Sequence, residues 1–339
     1  MAKRVQILDC TLRDGGYVNN WEFDNETAKK IISSIYNSGI RYIEIGILGN
    51  GCIAGKSTKF STFDEMRPLL EERKPDCHYA VMINQAEASK FVIPPKSEDT
   101  VDIIRLAYFK RELKDALTFA CELKEKGYTV FLQAMATFMY SDTELKDMIE
   151  EINRIKPAAF YMVDSFSNMY PGDIEILENK ILRGLSPEIE FGFHAHNNLQ
   201  LAFANVLAFI STETNRTLFV DGSIYGMGRG AGNVPVELLM EYLNKEKIQF
   251  DISYILEAFQ NYLKPVFHQF YWGYAHPYFL TAAKDMNSVY SWYLGNNGIA
   301  DILMLNKALD AIPEECKYTL MRGEADRILA GLQEGSHDI

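Results

Sequence analysis

The feature that most constrains this chain is a repeated alternation of short apolar runs with segments of helical period. The runs span residues 5–9, 42–46, 79–83, 102–106, 128–135, 159–164, 189–194 and 217–221. Between the first two, Asp24 or Asn25 can cap a helix whose apolar positions, Ala28, Ile31, Ile32 and Ile35, share one face. Gly39 then stands where a helix ends in a left-handed turn. Further helical patterns cover 113–126, stopped by Gly127, then 142–157 and 235–243. The helical period is least clear after the third and sixth runs. Eight strand–helix units predict a (β/α)8 barrel over residues 1–247, because an open doubly wound sheet stops at fewer strands. From 248 to 339 only helical patterns follow, which predicts a smaller C-terminal helical region. It contains an aromatic-rich segment, 267–279, read as core or as an interface between copies, giving a homodimer or larger. The tail 335–339 is expected to fray.

Charge narrows the function. The net charge of −12 argues against non-specific nucleic-acid binding and against docking on anionic lipid. It leaves room for an anionic substrate, since a local arginine or metal reverses the field inside a cleft. The first residues carry no apolar signal region, and no run is long enough to span a bilayer. The five cysteines show no Cys-x-x-Cys spacing and read as reduced thiols, which predicts a cytoplasmic protein.

A barrel carries its functional residues at the C-terminal ends of its strands. Asp9, Arg13 and Asp14 follow the first run; Glu44 lies late on the second; Asp164, His194 and Asp221 end the sixth, seventh and eighth. His194 and His196 are two apart, so on a strand they point to one side and can share a metal ion. Two solvated loop histidines are the plain alternative. A carboxylate from another strand end, Asp14 or Asp9, would complete the set. Such a donor set suits Mn2+, Zn2+, Co2+ or Mg2+.

The loop 226–233 matches Gly-x-Gly-x-x-Ala, but it follows the last run and only helical patterns come after it. It therefore reads as backbone approaching a site at the barrel mouth rather than as a dinucleotide fingerprint. Asn233 either belongs to that site or caps the next helix. Gly55-Lys56-Ser57 lacks the rest of a P-loop, which leaves Lys56 as a candidate anion contact on a mobile loop.

Taken together, Thr11-Leu-Arg-Asp-Gly, Tyr42-Ile-Glu, Asp164-Ser, Gly192-Phe-His-Ala-His-Asn-Asn-Leu, Asp221-Gly-Ser and Gly228-Arg-Gly-Ala-Gly-Asn-Val-Pro-Val-Glu resemble the DRE-TIM metallolyase superfamily, over residues 5–245. Its members make or break carbon–carbon bonds beside a carbonyl. The longest stretch is most similar to the 4-hydroxy-2-oxovalerate aldolases. The resemblance implies a divalent metal, Mn2+ first, on Asp14, His194 and His196, with Asn233 as a further ligand in some lyases. It assigns Arg13 to an enolate, Glu44 to orienting Arg13 and Asp14, and Asp164, Ser165 and Gly228 to the substrate. The expected substrates are a 2-oxo acid such as pyruvate and an aldehyde; no partner dehydrogenase is implied.

Two departures matter. Claisen-type acyl-CoA condensing enzymes of the superfamily continue as Asp-Gly-Glu-Gln, whereas this chain reads Asp14-Gly-Gly-Tyr17. The aldolases place a proton-carrying histidine where this chain has Tyr17. Tyr17 is thus read as an acid, as a group positioning water, or as a packing residue at the mouth. His276 is a second candidate base, if the aromatic segment folds over the barrel. The rival readings are a Claisen-type condensing enzyme and a non-catalytic barrel used for assembly.

Overall fold

The computed structural model describes residues 4–335. Eight parallel strands form a closed barrel: β1 (Arg4–Asp9), β2 (Tyr42–Leu48), β3 (His78–Asn84), β4 (Ile103–Tyr108), β5 (Thr129–Ala134), β6 (Ala159–Asp164), β7 (Glu190–Ala195) and β8 (Thr217–Gly222). The ring closes where β1 pairs with both β2 (Leu8 opposite Tyr42) and β8 (Leu8 opposite Asp221). The predicted barrel is therefore the fold. An unpredicted two-residue strand, Lys59–Phe60, lengthens the sheet beside the end of β2.

The helices form where the sequence supplies both a cap and an apolar face. The Asp24 carboxylate accepts from Thr27 N at 2.7 Å and starts Asn25–Asn37, which buries Ala28, Ile31, Ile32 and Ile35. Ser141 and Glu144 form a reciprocal cap at the start of Asp142–Ile155. After β6, Pro171 sits in the first turn of Pro171–Gly184, where its missing N–H costs nothing. The unit after β3 has no α-helix, only the 3-10 turn Gln85–Lys90. Pro94 and Pro95 follow it, and tandem prolines hold the chain extended.

Side chains alternate along each strand. The outward set, including Ile43, Ile104, Phe191, Phe193 and Val220, packs beneath the helices. The inward set stacks in layers. Leu8, Ala80, Ile103, Phe131, Tyr161 and Phe219 make an apolar floor. One step further along their strands come Glu44, Arg105 and Asp221, all buried. This charged layer supports the mouth of the barrel.

The helical pattern after residue 247 divides between two cores. Ile255, Ala258, Leu263 and Trp272 belong to the barrel's own apolar cluster. Met286, Tyr290, Leu294, Leu309 and Leu329 form a second, separate cluster. Gly335 ends the last helix, Arg322–Gly335, and 336–339 lie outside the described residues. Among the described residues no helix is long and apolar enough to cross a membrane.

Candidate metal centre

Strand β1 ends in a tight turn that presents Arg13 and Asp14. Asp9 anchors this turn and does not reach the candidate ligands: its carboxylate accepts from Thr11 N at 2.9 Å and Thr11 Oγ1 at 3.0 Å. Burial, opposed by those two bonds, pushes the Asp9 carboxyl up to about 7. The indole of Trp21 donates to Arg13 O at 2.7 Å. Gly16 lies against that ring, and a Cβ there would stand 2.0 Å from it. The Gly-Gly pair is therefore a packing requirement of the turn.

Asp14, His194 and His196 meet, with one candidate ligand atom from each lying within 4.8 Å of the others. The histidine tautomers follow from their partners. His196 Nδ1 lies 2.8 Å from the carbonyl of Asp164, which can only accept, so Nδ1 carries the proton. His194 Nδ1 donates to Asp221 Oδ2 at 2.7 Å. Both Nε2 atoms then face the mouth. His194 Nε2 is buried with no hydrogen-bond partner, and His196 Nε2 stands 3.9 Å from Asp14 Oδ2. A buried imidazole nitrogen without a hydrogen-bond partner fits a metal ligand.

Electrostatics keep Asp14 and His196 in their ligating forms. Burial opposes ionisation of Asp14, but the neighbouring Arg13, the two histidines and the Asn233 hydrogen bond together outweigh it. The carboxyl is held well below its usual range. Burial and the adjacent His194 lower His196 to about 4, so it is neutral at physiological pH. Asn233 Nδ2 donates to the second Asp14 oxygen at 2.7 Å, and its Oδ1 is buried without a partner. The next helix, Val236–Lys245, begins after Pro235, so Asn233 belongs to the site and is not a helix cap. Gly228 lets this loop close on Asp14: a Cβ there would lie 2.9 Å from Asp14 Oδ2 and 2.5 Å from Asn233 Nδ2.

Beneath the ligands runs a buried ion-pair chain. Arg13 pairs with Asp14 through Nη1 and donates from Nε to Glu44 Oε2 at 2.6 Å. Arg105 donates to the same Glu44 oxygen at 2.8 Å and also pairs with Asp221. The Arg105 guanidinium lies 4.9 Å above the Tyr161 ring. Glu44 thus orients Arg13, and Arg105 joins it to the carboxylate behind His194. Arg105 was not singled out from sequence. Its one visible signal is a lone arginine inside the run Ile103-Ile-Arg-Leu-Ala107.

A narrow cavity of about 80 Å³ opens above these groups, lined by Arg13, Asp14, His194 and His196 together with Tyr17, Ser165 and Arg229. That is far smaller than a drug-sized pocket. Ser165 Oγ also accepts from Ala136 N at 2.8 Å. Asp164 reaches the site through its carbonyl; its carboxylate accepts from Asn168 N at 3.1 Å and does not line the cavity. Tyr17 does line it, with the Arg229 guanidinium 5.2 Å over its ring. His276 does not; it lies beside Tyr274 at the start of a C-terminal helix. Lys56 lines a different surface cleft with Glu22 and Asp24. The 226–233 loop leads into a helix with no strand after it among the described residues, which removes the dinucleotide reading.

Known proteins resemble this chain. A protein named oxaloacetate decarboxylase from Mycobacterium tuberculosis is 28% identical over 240 residues, covering 70% of each chain. A 4-hydroxy-2-oxovalerate aldolase from Thermus thermophilus is 28% identical over 277 residues, covering 79% of this chain and 77% of that one. The crystal structure of the N-terminal domain of a candidate aldolase from Bacteroides vulgatus matches with a TM-score of 0.74 at 27% identity, covering 88% of this chain and 99% of that one. The HMGL-like family model matches residues 4–258, and the chain belongs to the HMGL-like family.

Proposed function

We propose that this protein is a divalent-metal-dependent aldolase that forms or cleaves the carbon–carbon bond between a 2-oxo acid and an aldehyde. The observation that carries the reading is the unpartnered His194 Nε2 facing Asp14 and His196, with Arg13 beside them. Asp14, His194 and His196 would hold the ion, with Asn233 Oδ1 as a fourth donor. A divalent ion there, Mn2+ for preference, supplies Lewis-acid polarisation of a ketone oxygen.

The residues of the chain do the rest. Arg13 spends Nε on Glu44 and Nη1 on Asp14, which leaves Nη2 without an intramolecular hydrogen bond among the described residues. That donor is fixed before substrate arrives, and it meets the negative charge of a pyruvate enolate. A preorganised contact of this kind lowers a barrier by roughly 3–4 kcal/mol. In the synthetic direction the C3–H bond of pyruvate breaks, its proton passes to solvent, and C3 of the enolate so formed attacks the aldehyde carbon. The carbonyl electron pair moves to the aldehyde oxygen, which takes up one proton. Tyr17 lines the cavity where it can hand over that proton. No redox step occurs and no atom is lost.

A second reading, oxaloacetate decarboxylation, draws on the name of the Mycobacterium tuberculosis relative. There the C3–C4 bond breaks, carbon dioxide leaves, and the electron pair forms the same enolate. Both readings require enolisation. Metal-loaded protein incubated with pyruvate in D2O is expected to exchange the methyl protons, followed by NMR, and Arg13→Ala slows this by about 100-fold or more. No exchange by protein with bound metal would refute the enolate reading. Product analysis with oxaloacetate, and with acetyl-CoA plus a 2-oxo acid, then separates aldolase, decarboxylase and Claisen chemistry.

A further inference from the structure

Beside the metal cavity lies a second, larger cleft of about 430 Å³, between the barrel mouth and the C-terminal helices. Its barrel wall includes Tyr17 and Arg229, and its far wall includes Phe270, Trp272, Tyr278 and Trp292. Tyr17 and Arg229 also line the metal cavity, so the two spaces share a wall. Arg229 is exposed and makes no ion pair with any described residue; its guanidinium rests on the Tyr17 ring. Trp272 is held from behind, donating to Tyr225 O at 3.0 Å. Trp292, by contrast, leaves 60% of its surface in water.

We propose that this cleft binds the second substrate, and that this substrate is an aldehyde with an aromatic or long apolar body rather than a two-carbon aldehyde. The inference rests on the enolate reading above. Three observations argue for it. The cleft adjoins the space where C3 of the enolate must lie. Its walls are aromatic rings, which hold a planar or apolar body by area and ring contact. The unpaired Arg229 stands at the junction of the two spaces, where the carbonyl oxygen of such an aldehyde needs a donor.

Two readouts test this. The first is binding without turnover: 3-phenylpropanol, the unreactive analogue of 3-phenylpropanal, is titrated while tryptophan fluorescence is followed. Saturable binding is expected in the wild type and at least tenfold weaker binding in Trp292→Ala, whose exposed site makes a folding defect small. The second is specificity. With pyruvate, kcat/KM for 3-phenylpropanal is expected to exceed that for acetaldehyde at least tenfold, and Trp292→Ala collapses that ratio towards one. Absence of saturable probe binding overturns the proposal, as does binding or a ratio that Trp292→Ala leaves intact. So does a Trp292→Ala variant that changes only sedimentation mass, because the rings would then form a contact between copies. Pyruvate proton exchange, which needs no aldehyde, separates the two failures. Exchange without probe binding removes the cleft and keeps the enolate reading. Probe binding without exchange keeps the cleft as an aromatic-ligand site and removes the enolate reading.

Discussion

His194 Nδ1 donates to Asp221 Oδ2 at 2.7 Å, and this bond fixes which nitrogen of the imidazole faces Asp14 and His196. Arg105 pairs with the same carboxylate oxygen. Burial opposes ionisation of Asp221, yet Arg105 and then His194 hold it below the usual carboxylate range, so it stays an acceptor. Partners behind a metal ligand typically account for 10–100-fold in affinity. Asp221→Asn is expected to weaken Mn2+ binding by about that factor, measured by isothermal titration. Unchanged affinity would mean that the bond does not orient the ligand.

Arg105 is the centre of the charged layer. It is fully buried between Glu44 and Asp221, with no water-exposed route for either charge. Removing one partner of a buried pair leaves an uncompensated charge and costs about 3–5 kcal/mol. Arg105→Met is expected to destabilise the fold by that amount in urea denaturation. A loss under 1 kcal/mol would show that Glu44 and Asp221 take up protons instead.

Glu178 gives a pH prediction away from the metal. It is 1% exposed in the helix Pro171–Gly184, and its Oε2 has no partner. Burial, helped by Glu175, pushes its carboxyl up from 4.5 to about 8. Between those values the folded state holds a proton that the unfolded state releases. The contribution is therefore fully present below about pH 4.5 and is lost as pH rises through about 8. Glu178→Gln keeps the shape and removes the titration. Its melting temperature is expected to match wild type at pH 5 and to exceed it at pH 8.5, by the equivalent of about 1–3 kcal/mol. A constant difference across that range would contradict the assignment.

Much of the site was legible because chemistry and strand period coincide. His194 and His196 are two apart at the end of a strand, and Asp14 follows another strand end, so the barrel alone brings them together. Arg105 was hidden because its role depends on what stands across the barrel, and one strand's sequence does not say that. Asp164 was legible as a strand-end residue, but that its carbonyl rather than its carboxylate meets His196 is decided by the backbone path. The segment around Ile255 and Leu263 shows the same limit. Its period marks an apolar face, but not that the barrel is what covers it.

The proposed activity requires one ion held by Asp14, His194 and His196. Its most direct test is Mn2+ titration of chelator-stripped protein, followed by the loss of the free-ion electron paramagnetic resonance signal. One ion per chain is expected in the wild type, and none at the same concentrations in the double variant His194→Ala/His196→Ala. Equal stoichiometry and affinity in that variant would contradict the account.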